Sequence, residues 1–218
     1  MSKKFGCAAV ALALFIAVLL LVRTVDVAAI GPGGTSIGLS GLNGKVRDAL
    51  GTHLTLYKIT QLMGYASLLL ATGFGALGLT QIIQRRSLKK MDRCLWALCG
   101  LYVAVAVLYV FFEKFIVNYR PVLMPGETEA EASFPSSHTM LFCVVLGSAA
   151  LVAGRYISSP RLLWIVRAVC GLGAFAGVLW RLVSGVHWIT DILAGLLISA
   201  TLLLAFSGVL DRLEENEA

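Results

Sequence analysis

Charge is scarce in this sequence. Lysine, arginine, aspartate and glutamate make up 14% of its 218 residues, against roughly 25% in an ordinary soluble domain, which excludes a chain that wraps itself in a solvated surface. Cysteine offers no framework. The five thiols, Cys7, Cys94, Cys99, Cys143 and Cys170, lie in or at the edges of apolar runs, with the spacing of neither a disulfide scaffold nor a zinc cluster. No internal repeat and no low-complexity linker divides the chain, so a single domain over residues 1–218 is expected.

What the sequence has in quantity is apolar residues, 58% of the total. Crossing a bilayer core takes roughly 20 residues of helix. Residues 5–22, 94–112, 139–154 and 192–210 carry no charge, 59–83 is polar in places, and 162–179 holds Arg167. The expected fold is therefore all-α: a polytopic membrane protein with six transmembrane helices in one bundle, near 5–25, 57–83, 94–117, 136–155, 162–181 and 187–210. Lys3 and Lys4 precede the first run and Val27-Ala28-Ala29 offers a weak cleavage site, so a cleaved signal peptide competes. The uncharged run exceeds the ~7–15 residues of a signal core, and a retained helix is expected. Residues 30–52, with six glycines before Ala49, read as a loop in which 46–50 forms a short interfacial helix.

Six spans put both termini on one side, and the distribution of lysine and arginine selects that side. Lys3, Lys4, Arg85, Arg86, Lys89, Lys90, Arg93, Arg155, Arg161, Arg167 and Arg212 form one set of eleven; the other seven are Arg23, Lys45, Arg47, Lys58, Lys114, Arg120 and Arg181. The larger set is assigned to the cytoplasm of a plasma membrane. The net charge of +6 then reflects orientation and requires no nucleic-acid partner.

Three clusters of polar residues fall at helix ends on the opposite, outer face: EKFIVNYRP ending at Pro121, FPSSHT around His138, and RLVSGVHWITD from Arg181 to Asp191. Charge near a bilayer centre costs at least ~2.5–3.5 kcal/mol, so retained charges of this kind mark chemistry. His187 and Asp191, four residues apart, share one helix face. The carboxylate can hold one imidazole nitrogen and leave the other as a nucleophile toward phosphorus. Arg120 and Arg181 are permanently charged forks suited to phosphate oxygens, and a phosphoryl transition state spreads negative charge over three equatorial oxygens. Ser136 and Ser137 begin a helix whose N-terminus is an anion site, and His138 can protonate a leaving group. Read as structure alone, His187 and Asp191 are a helix-start pair, the arginines snorkel, and the serines cap.

At these residues the chain resembles the type 2 phosphatidic acid phosphatase superfamily, which also contains vanadium haloperoxidases. The family pattern is K-x6-R-P, then P-S-G-H, then S-R-x5-H-x3-D, and the last is met by Arg181, His187 and Asp191. The resemblance spans Lys114 to Asp191. It implies a metal-independent phosphatase of helical fold, without cofactor, acting on a lipid phosphate. By the same resemblance His187 is the nucleophile, Asp191 its orienting partner and His138 the acid, while Arg120, Arg181 and Ser136 bind phosphate, with Ser137 where the family has glycine. Trp180 stands where the family has serine. Five residues separate Lys114 from Arg120 instead of six, and Glu113 occupies the aligned position. One residue is about 100° around a helix, so Lys114 reaches phosphate only if the helix end is irregular or its stem swings over.

Two other readings remain. His138, His187 and Asp191 form a set of the two-histidine, one-carboxylate type that binds metals, although two arginines would repel the ion. A small anion transporter would place its site nearer the midplane. Gly173 and Gly177 are expected at a close helix contact, His53 at the surface, Trp180, Trp188 and Tyr119 in the interfacial aromatic belt, and Glu127, Glu129 and Glu131 on a solvated loop. The loop bias and short length suit a bacterial protein. An outer-face site suits undecaprenyl diphosphate first, with phosphatidate or phosphatidylglycerophosphate as the broader alternative.

Overall fold

The computed structural model describes residues 3–124 and 126–215; residues 1, 2, 125 and 216–218 of the expected domain lie outside them. Seven α-helices are found among the described residues: α1 (Lys3–Thr24), α2 (Ser40–Leu50), α3 (Leu54–Arg85), α4 (Arg93–Lys114), α5 (Ser137–Val152), α6 (Pro160–Val183) and α7 (Ile189–Glu215). All except α2 are long and apolar enough to span a membrane, α5 together with the short turn that continues it to Arg155. The fold is all-α, as expected, and the helix in the first loop is longer than the sequence indicates, running from Ser40 to Leu50.

Helices α5 and α7 are the most enclosed spans. Around them pack α1 on α7, α6 on α5, and α3 and α4 on the remaining sides. Phe142 of α5 lies over Gly177 of α6, where a Cβ would stand 2.6 Å from the ring, so the small residue permits the close approach anticipated for Gly173 and Gly177. Phe15, Phe112 and Phe134 form a cluster of tilted and edge-on rings beneath the far end of α4, with centroids 5.9–6.1 Å apart.

The end of the bundle that holds the start of α1 and the end of α7 is tied by polar contacts. Lys4 pairs with Asp211 at 2.8 Å, Arg155 with Glu214 at 2.9 Å, and Arg85 with Asp92 at 2.8 Å. The opposite end is built from tighter backbone work. Helix α6 stops at Ser184-Gly185, and Gly185 has φ +69°, the left-handed region favoured by glycine after a helix. A Cβ there would lie 2.0 Å from the Gly51 carbonyl oxygen, and the His53 amide donates to the Ser184 carbonyl at 3.0 Å. The α2–α3 corner is thereby pressed onto the α6–α7 turn. Asn43 of α2 completes the clamp, its amide donating to Thr190 Oγ1 at 3.0 Å and its Oδ1 accepting from the Thr190 amide at 3.3 Å. This clamp fixes the start of α7, where His187 and Asp191 sit.

Candidate active site

The four chain segments that carry the sequence clusters meet at this second end. The segment after α4 crosses the bundle mouth as a strap, held by an isolated antiparallel bridge between Tyr119 and Ala132 and by the Trp188 indole, which donates to the Tyr119 carbonyl at 2.7 Å. Trp188 is fully buried (0% exposed). It fastens the strap to α7 and is not part of an interfacial belt, because its N–H finds a backbone acceptor in the interior. The strap then enters α5 through Pro135. Ser136 caps that helix, its Oγ accepting from the Thr139 amide at 3.4 Å and hydroxyl at 3.0 Å, while its own amide donates to the Asp191 carbonyl at 3.0 Å. The starts of α5 and α7 are thus joined directly.

His187 is buried between these elements. Its Nδ1 lies 3.1 Å from the Ser133 carbonyl and 3.5 Å from Asp191 Oδ2, and its Nε2 lies 3.2 Å from Arg181 Nη2. A guanidinium only donates and a carbonyl only accepts, so these partners require the proton on Nδ1 and the lone pair on Nε2. The strap carbonyl is the closer acceptor. Asp191 stands behind it with Oδ2 accepting from the Trp188 amide at 3.0 Å. Asn118 and Ser133 are the polar side chains next to Asp191, each short of hydrogen-bond geometry. Burial first, then the positive charge of Arg181 and Arg120, holds His187 well below the usual histidine range. The ring is therefore a neutral base with one free lone pair directed at an arginine.

Arg181 is 0% exposed. Its Nη1 donates to Thr60 Oγ1 at 3.1 Å, its Nη2 to His187, and its Cζ lies 5.2 Å from the Tyr57 ring centroid. All three partners are neutral, and its Nε is buried with no partner. Burying a cation without an opposite charge costs several kcal/mol, so this pocket favours an anion strongly. Arg120 is less enclosed, its side chain 13% exposed, and its Nε stands 2.8 Å from Glu131 Oε2 in an ion pair that lacks hydrogen-bond angles, while Nη1 is buried and unpartnered. His138 packs edge-on to Phe142 at 5.9 Å and against Gly64 of α3, with its Nδ1 buried and unpartnered.

A recess on the α4 side reaches His187, lined by Tyr109, Phe112 and Glu113 from α4 and by Arg120, Ser137 and His187. Lys114 is exposed and does not line it; the aligned Glu113 does. One helical step turns the lysine away. His53 is exposed and contacts the Leu50 carbonyl at 2.9 Å. Among the described residues no three His, Cys, Asp or Glu side chains gather as a metal-binding group.

A sequence model of the PAP2 superfamily matches residues 94–214, more than half of the chain. The chain belongs to the PAP2 superfamily. It is a multi-pass membrane phosphatase. The matched region holds every residue of the pattern from Lys114 to Asp191, whereas α1, α2 and α3 lie outside it. The crystal structure of the first transmembrane PAP2 type phosphatidylglycerolphosphate phosphatase from Bacillus subtilis has the same fold, with a TM-score of 0.66 at 18% identity, over 94% of this chain and 96% of that one. No curated protein sequence matches significantly.

In this PAP2 superfamily member the residues that sequence reasoning missed come from outside the family pattern. Tyr57, Thr60 and Gly64 of α3 lie on one helix face at three- and four-residue spacing and touch Arg181 and His138. The only signal for them was that the second apolar run is polar in places. Thr60→Val removes the acceptor of Arg181 Nη1 and leaves a buried charge short of a partner, so kcat/KM for a phosphate ester is expected to fall about tenfold or more. Thr60→Ser keeps the hydroxyl and should keep most of the activity in the same phosphate-release assay.

Proposed function

We propose that the protein hydrolyses a lipid phosphate at the non-cytoplasmic face of the plasma membrane through a phosphohistidine at His187. The observation that carries this reading is the buried Arg181 guanidinium, which has only neutral partners and donates to the nitrogen that must attack. A phosphoryl group that takes Arg181 as its ligand is brought against the Nε2 lone pair by the same contact. Arg120 and the N-terminal turn of α5, with Ser136 and Ser137, complete the cradle for the remaining oxygens.

In the first step Nε2 forms a bond to phosphorus while the bond from phosphorus to the lipid oxygen breaks on the opposite side, and His138 gives that oxygen a proton. In the second step a water oxygen attacks phosphorus, His138 takes its proton, and the P–N bond breaks to release phosphate and neutral His187. Asp191 and the Ser133 carbonyl share the Nδ1 proton and stabilise the charged ring between the steps. The two arginines and the backbone amides supply the positive charge that a metal supplies elsewhere.

Membrane side rests on the lysine and arginine bias, which puts the site end opposite the basic loops. The apolar helices around the recess suit a lipid whose head reaches His187. The reading is tested by phosphate release in detergent from phosphatidate, phosphatidylglycerophosphate and undecaprenyl diphosphate, in excess chelator. Activity should persist without divalent metal and be inhibited by vanadate, which adopts the five-coordinate geometry of the transition state. Vanadate insensitivity, or loss of activity that divalent metal restores, would exclude the phosphohistidine route.

A further inference from the structure

The first amides of a helix find no partner within it, and in α7 two of them are taken by side chains. Asp191 Oδ2 accepts from the Trp188 amide at 3.0 Å, a cap supplied by the helix itself. The Thr190 amide is taken from outside, by Oδ1 of Asn43, 147 residues away on α2, at 3.3 Å. Asn43 is fully engaged there. Its amide nitrogen donates to the Gly38 carbonyl at 2.8 Å and to Thr190 Oγ1 at 3.0 Å, and the Thr190 hydroxyl donates back to Oδ1 at 3.2 Å. Both residues are buried, Asn43 completely. One turn along the same face of α2, Arg47 stands with its Cζ 5.8 Å from the Trp188 ring centroid. Helix α2 therefore grips the residues one and three positions after His187. It is anchored in turn by Asp26, which accepts from the Gly41 amide at 2.7 Å and the Ser40 hydroxyl at 2.9 Å.

We infer that Asn43 is a positioning residue for phosphoryl transfer: by capping α7 from α2 it fixes the direction of His187 Nε2, a role that rests on the phosphohistidine reading and deepens it. The ring meets Arg181 Nη2 at 3.2 Å and the Ser133 carbonyl at 3.1 Å, and both contacts depend on the course of the backbone from Gly185 to Thr190. Gly51 closes on the first end of that turn. Asn43 holds the second. A nucleophile displaced by about 1 Å can lose about 10²-fold in rate, so a loosened α7 start acts on the bond-making step. The charges that bind phosphate are held elsewhere. Arg181 belongs to α6, bonded to Thr60 of α3, and Arg120 to the strap, so anion binding does not depend on the Asn43 cap. Asn43 touches none of the reacting atoms, and α2 lies outside the region that the PAP2 sequence pattern covers.

Asn43→Leu keeps the size of the side chain and removes its polar atoms, whereas Asn43→Asp keeps the acceptor that faces the Thr190 amide, at the positive end of α7. With the purified full chain in detergent and phosphatidate as substrate, kcat of Asn43→Leu should fall by about 10–10²-fold. Inhibition by inorganic phosphate should stay within about threefold of the parent, and Asn43→Asp should recover most of the lost kcat. Rapid quench in the first turnover should show transfer of the phosphoryl group to histidine slowed by the same factor as kcat. If Asn43→Leu does not fold, Thr190→Ala, which removes the hydroxyl that ties Asn43 to α7, should show the same split at about fivefold. An unchanged kcat in the folded variant overturns the positioning role. So does a loss that Asn43→Asp does not repair, or a loss of phosphate inhibition in step with kcat, since each is what a merely structural residue gives. A parent that cleaves phosphatidate with no phosphoryl group on histidine overturns the phosphohistidine reading itself, whatever the Asn43 variants do.

Discussion

His187→Ala is expected to abolish phosphate release, with kcat lowered on the order of 10⁴-fold or more, as when the nucleophile of a covalent mechanism is removed. Nothing nearby can replace it, since the other acceptor of Arg181 among the hydrogen bonds of the site is the Thr60 hydroxyl, a weak nucleophile without an adjacent base. The buried side chain is small enough in loss that folding should survive, and binding of vanadate or inorganic phosphate to the arginines offers a separate readout that the pocket remains. The parent, quenched during turnover, should carry an acid-labile phosphoryl group on one histidine, and the variant should carry none. Full activity in His187→Ala would remove the basis of the mechanism. Because burial and the surrounding positive charge hold His187 well below the usual histidine range, it stays neutral as pH falls through about 6.5. Any acid limb of kcat/KM near that pH must come from another group, the substrate phosphate included.

His138→Gln should lower kcat for a lipid phosphate by about 10²–10⁴-fold, the usual worth of a positioned general acid. The same substitution should cost far less with p-nitrophenyl phosphate, whose phenolate departs without a proton. Equal losses on both substrates would show that His138 supports the pocket and does not protonate the leaving group. The unpartnered Nδ1 and the contact with Gly64 give the ring room to reorient, and Gly64→Ala, which would bring a methyl 3.2 Å from His138 Cδ2, is the corresponding test of that room.

Much of this was legible in the sequence for simple reasons. Long apolar runs have few alternatives to spanning helices when backbone polar groups must be satisfied inside the chain, and charges at their ends stand out because so few are present. The helical spacing of His187 and Asp191 was equally plain. What spacing does not reveal is which atoms meet. Asp191 was expected to hold the imidazole, yet the Ser133 carbonyl is the nearer acceptor at 3.1 Å, and a backbone carbonyl leaves no mark in a residue pattern. Trp188 looked like a belt residue because its type is common at interfaces; only the closure of the strap over α7 buries it.

The sequence by itself determined the six spans, the clustering of His138, His187, Asp191, Arg120 and Arg181 at one end of them, and the kind of chemistry that such residues support. These follow from hydropathy and from local spacing along a helix, which a linear chain records directly. Tertiary structure alone decided that α3 contributes Thr60, Tyr57 and Gly64 to the site, that the Ser136 amide is bonded to the Asp191 carbonyl, and that Glu113 instead of Lys114 lines the recess reaching His187. Those outcomes depend on the rotation of each helix about its axis and on how the α2–α3 corner and the strap close on α7. Such rotations are set by packing between segments far apart in the chain, and no local pattern encodes them.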